Sequence, residues 1–481
     1  MNTISCGWEV RNTTSRRLFG RRVIYTNVEE ITRDNIIPVL QKALFTHTQN
    51  RGEIDYLYRY YKGEQPIWGR KKEVRPEINN VVVENRANEI VSFKTGYLMG
   101  EPVQYVSRKD ESGIADKISK LNDYMLSEDK ASADAELADW WHICGTSYRM
   151  VLPDGAFDED DEAPFEVYTT DPRTTFVVYS QAIGNRPMMG VHMTRDDDGI
   201  ITFYCYTDTK YFVVDDSWSI LAEEDQILGN PIIEYPANKA RLGAFEIVIP
   251  LLDAINTTES NRIDGVEQFI QALLLFHNTD ISEDDFSKLK DLGAIKFKDI
   301  DPQLKAEISY LSSEMNQAQT QTLVDHMYNT VLTICGMPNR NGGSSTSDTG
   351  SAVIMRDGWS AAEARAKDSE RMFKKSEKKF LKIVLKICED LADLTLNLSA
   401  LEIRFTRRNY ENITEKANVL VTMLNNPSIA PQLAFTHCGL FSDPQLAYRM
   451  SMEYKEANLG NQTDPGNDSG NRENLETAPT S

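Results

Sequence analysis

The chain has 481 residues and a mass of 54.6 kDa, room for about three domains of roughly 150 residues, or one large body with insertions. Lys and Arg total 52 against 73 Asp and Glu, a formal net charge of −21, with 41% hydrophobic and 26% charged residues. This composition excludes a chain disordered throughout, and the acidity argues against tight, sequence-independent nucleic-acid binding and against adsorption to an anionic membrane; it does not exclude brief or repelled contact with DNA.

The N-terminal run MNTISCGWEVRNTTSRRLFGRR is polar and lacks the apolar core of a signal peptide. Residues 33–64 predict a helix that stops at Gly63 and Pro66. Asn79–Gly100 predicts a second helix, with Val82, Ala87, Ile90, Val91 and Leu98 near helical spacing, followed by a short strand over Val103–Val106. Ala131–Cys144 predicts a third helix, closed by Gly145. From Ser147 to Ile220 strand patterns dominate: SYRMVL, FEVYTT, TTFVVYS, GVHMT, ITFYCYT and KYFVVD. Helices followed by a strand-rich section make the fold class α+β.

Residues 249–277 predict one long helix of about 42 Å, with Pro250 in its first turn. Its apolar residues Ile263, Val266, Ile270 and Leu273 form one stripe; Asp253, Thr257, Ser260, Asp264, Glu267 and Gln271 form a second, polar one. The first asks for a neighbour and the second for water. A compact insert over 278–316 holds a short helix, Glu283–Leu289, and strand patterns at 294–298 and 306–311. Gln317–Cys335 is again helical, and GMPNRNGGSSTSDTGS (336–351) is a flexible loop. A very long charged helix runs from Ala352 to about Leu398, a strand over 400–408 follows, and helices occupy Glu411–Ala457. The tail from Leu459 to Ser481 has few apolar residues and is expected to be disordered.

Recognised catalytic patterns are missing. There is no Gly-Lys dipeptide, so no phosphate-cradling Walker loop, and no H-E-x-x-H, G-x-S-x-G or G-x-G-x-x-G. Cys6, Cys144, Cys205, Cys335, Cys388 and Cys438 are far apart, without a C-x-x-C pair, and are expected as free buried thiols. The six histidines are scattered singly. Asp348-Thr349-Gly350 copies the aspartic-protease tripeptide, but its flanks are polar and no second copy exists. The segment 428–452 is patterned like a helix-turn-helix yet offers bases only Gln445 and Arg449, so a helical hairpin is expected. The run Asp158–Glu162 lacks the alternating spacing of a calcium loop and is read as a solvated turn. No catalytic residue, metal site or cofactor is expected.

The order of elements from 245 to 400 is unusual: long helix, small αβ insert, returning helix, Gly/Ser-rich loop, very long helix. Together with YYKGEQPI, INNVVVENRANEIVSFKTGYLMGEPVQY, WWHICGTSYRMVLPDG, FEIVIPLLDAINTTESNRIDGVEQFIQALLLF and DLGAIKFKDIDPQLKAEISYL, it resembles the siphophage-type portal (head-tail connector) protein family of tailed double-stranded DNA bacteriophages. The pattern covers residues from about 50 to 455. The family's usual Ser-Gly after the loop is here Thr349-Gly350, which leaves the loop's boundaries open.

The resemblance implies an elongated subunit. Its parts would be the N-terminal part of a wing (1–244), stem helix 1 (245–277), a clip (278–316), stem helix 2 (317–336) and a channel loop (337–351). A long wing helix and strand (352–408), a helical crown (409–458) and the tail (459–481) would complete it. Such proteins form a homo-oligomeric ring of about twelve copies at one capsid vertex in the virion, assembled in the bacterial cytoplasm. Implied partners are the terminase large subunit (a separate ATPase that drives the genome in), the head-tail adaptor, capsid and scaffolding proteins, and double-stranded DNA that later leaves the same way; no membrane is implied. Within the loop, Asn339, Arg340, Asn341, Gly342, Gly343, Ser344, Ser345, Thr346, Ser347 and Asp348 would face DNA and touch its backbone weakly, without sequence readout. Asp253, Asp264 and Glu267 would line the stem and repel DNA from the wall. Lys288, Lys290, Lys296 and Lys298, a local basic cluster in the clip, would meet terminase, adaptor or DNA. Two other readings stand beside this one: another head-tail structural or adaptor protein, and a metal-dependent nuclease built on the acidic runs.

Overall fold

The computed structural model describes residues 20–108, 113–157, 163–270, 273–280, 298–299, 307–311, 317–339, 358–407, 413–441 and 443–459. The chain divides into two units, Met1–Pro102 with Tyr124–Thr395, and Val103–Asp123 with Leu396–Ser481. In chain order the elements are β1 (Ile24–Thr26), α1 (Ile36–Tyr61), α2 (Arg86–Met99), β2 (Gln104–Ser107), α3 (Ile114–Ser127) and α4 (Lys130–Cys144). Next come β3 (Thr146–Pro153), β4 (Phe165–Thr170), β5 (Thr175–Ser180), β6 (Pro187–Arg195), β7 (Ile201–Thr207), β8 (Lys210–Asp215), β9 (Ile220–Asp225) and β10 (Ile232–Pro236). Then follow α5 (Ile249–Ile270), β11 (Leu273–His277), β12 (Thr279–Asp280), β13 (Lys298–Asp299), β14 (Glu307–Leu311) and α6 (Gln317–Cys335). The remaining elements are α7 (Trp359–Ala392), β15 (Leu401–Arg404), α8 (Ile413–Leu424), α9 (Pro431–His437) and α10 (Pro444–Leu459). Helices and sheets both contribute, in agreement with an α+β chain.

In the first unit a six-stranded sheet has the order β1-β5-β6-β7-β8-β9. It is antiparallel except at β1, which pairs in parallel with β5. A second, antiparallel sheet has the order β10-β3-β4. Alternation along the strands explains the burial. Phe203 and Cys205 of β7, and Phe212 and Val214 of β8, point to one side. The first half of α1 (Ile36, Val39, Leu40, Ala43) covers that side. The second half of α1 (Ile54, Leu57, Tyr60) joins a different core with α2, α4, α5 and α6. One helix thus ties the sheet to the helical cluster.

The turn from α4 into β3 requires glycine. Gly145 has φ +78°, and a Cβ there would lie 2.2 Å from the Arg241 carbonyl oxygen. Gly145→Ala is expected to lower the unfolding free energy by more than about 2 kcal/mol, the left-handed cost plus the clash; a urea titration checks this.

The second unit holds the antiparallel pair β2–β15. The Asn122 side chain reads both backbone groups of Tyr105, at 3.4 and 2.9 Å. Phe435 of α9 stacks on Phe441 at 5.3 Å. Gln432 donates to Gln445 at 2.8 Å, so the segment that imitates a helix-turn-helix is a hairpin whose Gln445 is occupied internally.

Three element boundaries differ from expectation. The helix expected over Asn79–Gly100 begins only at Arg86, with Asn85 capping the Asn88 N–H at 3.3 Å. The helix expected over 249–277 ends at Ile270, and Leu273–His277 instead pairs with Glu307–Leu311. A short run of large apolar residues suits strand and helix alike, and the cross-strand partner decided. The long charged helix stops at Ala392, before an Asp393 with φ +50°, where the Leu394 N–H closes on the Cys388 carbonyl at 3.0 Å. Its expected first residues, 352–357, lie outside the described residues. The predicted 306–311 strand is present as β14, and of the 294–298 strand only Lys298 is described, in β13. The short helix Glu283–Leu289, the run Asp158–Glu162, Asp348–Gly350 and the tail beyond Leu459 lie outside the described residues. Cys144, Cys205, Cys335, Cys388 and Cys438 are buried and form no disulfide among the described residues; Cys6 lies outside. Among the described residues no helix is long and apolar enough to cross a membrane.

Candidate functional site

The site is built on α5 and α6. They run antiparallel: Arg262 meets Gln317 at 3.0 Å toward one end, and the Cys335 thiol points at the Ala244 carbonyl toward the other. Their buried faces belong to one core through Ile249, Leu252 and Ile255 on α5, and Val324, Val331 and Leu332 on α6.

The polar stripe of α5 is not bare. An extended segment, Asn80–Glu84, lies along it, and three of its backbone N–H groups donate to α5 side chains. Glu84 N–H reaches Asn256 Oδ1 at 2.8 Å, Val82 N–H reaches Ser260 Oγ at 3.0 Å, and Asn80 N–H reaches Asp264 Oδ1 at 2.8 Å. The match is geometric: four helical residues advance about 6 Å and two extended residues about 6.6 Å. Helix side chains thereby satisfy backbone donors that no neighbouring strand serves.

Asp264 closes this ladder. It is 3% exposed. Its carboxylate also takes Arg70 at 2.8 Å, Lys72 at 3.0 Å and the Asn80 side-chain amide at 3.0 Å. Burial pushes its carboxyl upward, but the hydrogen bonds from Asn80, Lys72 and Arg70 outweigh this and hold it below its ordinary range. Glu267 accepts from Asn80 Nδ2 at 2.7 Å. Asp253 accepts from the Tyr60 hydroxyl at 2.9 Å, and burial pushes its carboxyl up against that bond. The three expected site carboxylates thus share one helix face. Asp264, expected on the channel wall, is a buried acceptor within this chain, because residues 70–80 fold over it.

Two residues of the apolar stripe are open. Ile263 is 45% exposed, Val266 48%, and Leu323 on α6 51%. Sequence periodicity found both stripes but not that Ser260 and Asp264 of the polar one are covered. Asn256, Arg70, Lys72 and Asn80 were missed; the i, i+4, i+8 spacing of Asn256, Ser260 and Asp264 was the available signal.

Beside the ladder, a cleft of about 500 Å³ reaches the root of the loop at Met337–Asn339. Its charges are paired. Arg86 takes Glu89 at 3.0 Å and lies 4.1 Å over the Tyr328 ring, whose hydroxyl donates to Glu89 at 2.7 Å. Arg262 takes Glu259 at 3.0 Å and Gln321 at 2.7 Å. Both guanidiniums are therefore committed, and the cleft is poorly suited to gripping phosphate. Asn339 donates to Asn329 at 3.0 Å, fixing the start of the loop on α6. Arg340, Asn341, Gly342, Gly343, Ser344, Ser345, Thr346, Ser347 and Asp348 lie outside the described residues, as do Lys288, Lys290 and Lys296; Lys298 is described only as strand backbone. Among the described residues no group of three or more His, Cys, Asp or Glu could hold a metal ion.

The family model for phage portal protein, SPP1 Gp6-like, matches residues 41–460. No curated protein matches the chain.

Proposed function

The chain belongs to the phage portal protein family, SPP1 Gp6-like, and we propose that it forms a closed ring of about twelve copies at one vertex of a phage capsid. Through this ring a separate terminase ATPase drives the genome in, and the genome later leaves toward a tail adaptor. The match over residues 41–460 carries this reading. The family is structural rather than enzymatic. The parts follow the element order: α5 and α6 as stem, β11–β14 as part of the clip, the loop 337–351 toward the channel, α7 crossing the wing, and α8–α10 as crown. Ring partners are the terminase large subunit, the adaptor, and capsid and scaffolding proteins.

Two features support it physically. Ile263 and Val266 on α5 and Leu323 on α6 are half-exposed, apolar side chains that a neighbouring copy would cover. The committed cations of the loop-root cleft suit a conduit, since rings of free Lys or Arg would hold phosphates. Of the carboxylates, Glu267 remains a candidate for the channel wall; Asp264 serves by holding the stem.

Electron micrographs of the purified chain are expected to show channelled rings; particles without any ring would overturn the portal reading in favour of another head-tail component. Deleting Gly342–Ser347 is expected to leave rings intact and impair DNA packaging or retention. Unchanged packaging and retention would remove the loop from the mechanism.

A further inference from the structure

The longest described helix carries a basic face with few ion-pair partners among the described residues. In FKKSEKKFLKIVLK (373–386), Phe373, Phe380, Leu381, Val384 and Leu385 are buried. Lys375, Lys379, Lys382 and Lys386 recur at 4-3-4 spacing on another face, with Lys378 beside them. Lys386 donates to the Ile227 carbonyl. Lys375, Lys378 and Lys382 are exposed and Lys379 half-buried, and none of these four makes an ion pair among the described residues. Burial first, and then Lys375 and Lys382, depress the Lys379 ammonium despite Glu234 nearby. The chain has a net charge of −21, and these four lysines lie close together on one helix.

The stripe borders a cleft of about 320 Å³ between α7 and the ends of β6 and β10. Lys379 and Lys382 stand on one side, and Val177, Ile232 and Ile383 give it apolar walls. The Asn230 amide Nδ2, in the same lining, is buried without a hydrogen-bond partner. Free donors beside apolar walls fit an acidic segment that also carries an apolar side chain. They fit a duplex poorly, since the apolar walls offer phosphates nothing; of the two lining carboxylates, Glu234 is committed to Arg241, which leaves Asp208 against two ammoniums.

This chain displays such a segment at the other end of the same sheet. The β6–β7 turn is Asp196-Asp197-Asp198-Gly199, followed by Ile200, which is 46% exposed. The turn is well formed: the Gly199 N–H closes on the Asp196 carbonyl at 3.0 Å, and the Ile200 N–H on Asp196 Oδ1 at 2.8 Å. Arg195 bonds the Gly199 carbonyl at 3.2 Å, and Asp197 and Asp198 make no ion pair among the described residues. The cleft includes Pro187, the first residue of β6, and the turn follows Arg195, its last. The nine residues of β6 put about 30 Å between them. Complementary patches at opposite ends of one body cannot meet within a chain, and they generate a head-to-tail contact that closes when the rotation allows.

We propose that the acidic β6–β7 turn of one copy seats in the lysine-lined cleft on α7 of the next, as a heterologous contact of the assembled ring. Ring closure is taken from the portal reading; the contact itself rests on the two patches.

The full-length chain is compared with K379E/K382E, with D197K/D198K and with the variant carrying all four changes, by sedimentation velocity and electron microscopy at about 0.1 M salt. Each two-residue reversal puts like charges face to face and is expected to weaken association at least about tenfold, with thermal unfolding unchanged. The four-fold variant restores charge pairing in every contact and regains rings. An equimolar mixture of the two reversals regains them too, because alternate copies then pair. Rings unaffected by either reversal would overturn the contact, as would reversals that spare rings but abolish duplex binding, which would make the stripe a nucleic-acid face. Should a reversal unfold the chain, K379Q/K382Q and D197N/D198N replace it, with weakened association expected and unchanged association overturning the contact. A wild-type chain that forms no ring overturns the portal reading, and this contact with it.

Discussion

Arg149→Met is expected to lower the unfolding free energy of the larger unit by about 3–5 kcal/mol, the usual loss when one partner leaves a buried ion cluster. Arg149 is fully buried on β3. It bonds Asp134 of α4 at 2.5 Å and Glu377 of α7 at 3.4 Å. Lys130 bonds the same two carboxylates at 2.6 and 2.9 Å, and the Tyr235 hydroxyl of β10 donates to Glu377 at 2.6 Å. Removing the guanidinium leaves two buried carboxylates with one ammonium between them. The guanidinium also lies 5.1 Å from the Phe380 ring and 5.4 Å from Tyr235, so packing is lost with the charge. Replacing all four charged residues together (K130M, D134L, R149M, E377L) is expected to recover most of the loss, since no charge is then orphaned. Urea unfolding followed by fluorescence of Trp140 and Trp141 measures both. A single variant as stable as the wild type would mean that water reaches the cluster. The cluster fixes α7 against the sheet, so the same variant tests whether the helix that follows the loop must be held for the ring to function.

Asp264→Ala is expected to cost about 1.5–3 kcal/mol, the range for hydrogen bonds to a charged group. Hydrogen exchange should accelerate at Asn80, Val82 and Glu84, whose N–H groups face the α5 ladder. Asp264→Asn keeps an oxygen for the Asn80 N–H but loses the charge that Arg70 and Lys72 share, and should fall between the two. The pH dependence has a definite sign. The folded-state pKa lies below the ordinary 3.8. The stability gained from ionisation is therefore complete above that value and is lost as pH falls through the lower folded-state pKa. The wild type's advantage over Asp264→Ala should shrink as the solution is acidified below pH 3.8, and a constant difference down to full protonation would mean that the carboxylate acts by shape alone.

The legible parts of the chain were those where one local signal sufficed. Runs of aromatic and β-branched residues in ITFYCYT and KYFVVD mark β7 and β8, and burial alternates along both in the structure. Gly145 marks the end of α4 because its φ is positive. The boundaries that moved lie where the deciding partner is distant in sequence. Val81–Val83 reads as the start of a helix, yet Asn80, Val82 and Glu84 spend their N–H groups on residues more than 170 positions away. Leu273–Phe276 reads as helix until Glu307–Leu311 pairs with it. β1 was not foreseen, because three residues carry little pattern and its parallel partner β5 is over 150 positions on.

By itself the sequence determined the α+β class, the order of long helix, insert, returning helix, loop and very long helix, and through that order the family. It also determined the lysine spacing of α7 and the triple aspartate of the β6–β7 turn, since helical and hairpin periods are local. Only the tertiary structure decided which stripe of α5 meets water. Periodicity separates polar from apolar faces, but it cannot tell a polar face that meets solvent from one whose oxygens are claimed by a segment folding back from residues 70–84. Tertiary structure also decided that Lys375, Lys378, Lys379 and Lys382 of α7 make no ion pair among the described residues and that the acidic turn stands at the far end of the same sheet. Charge pairing depends on distances in space, and those distances are set by the packing of residues far apart in the chain.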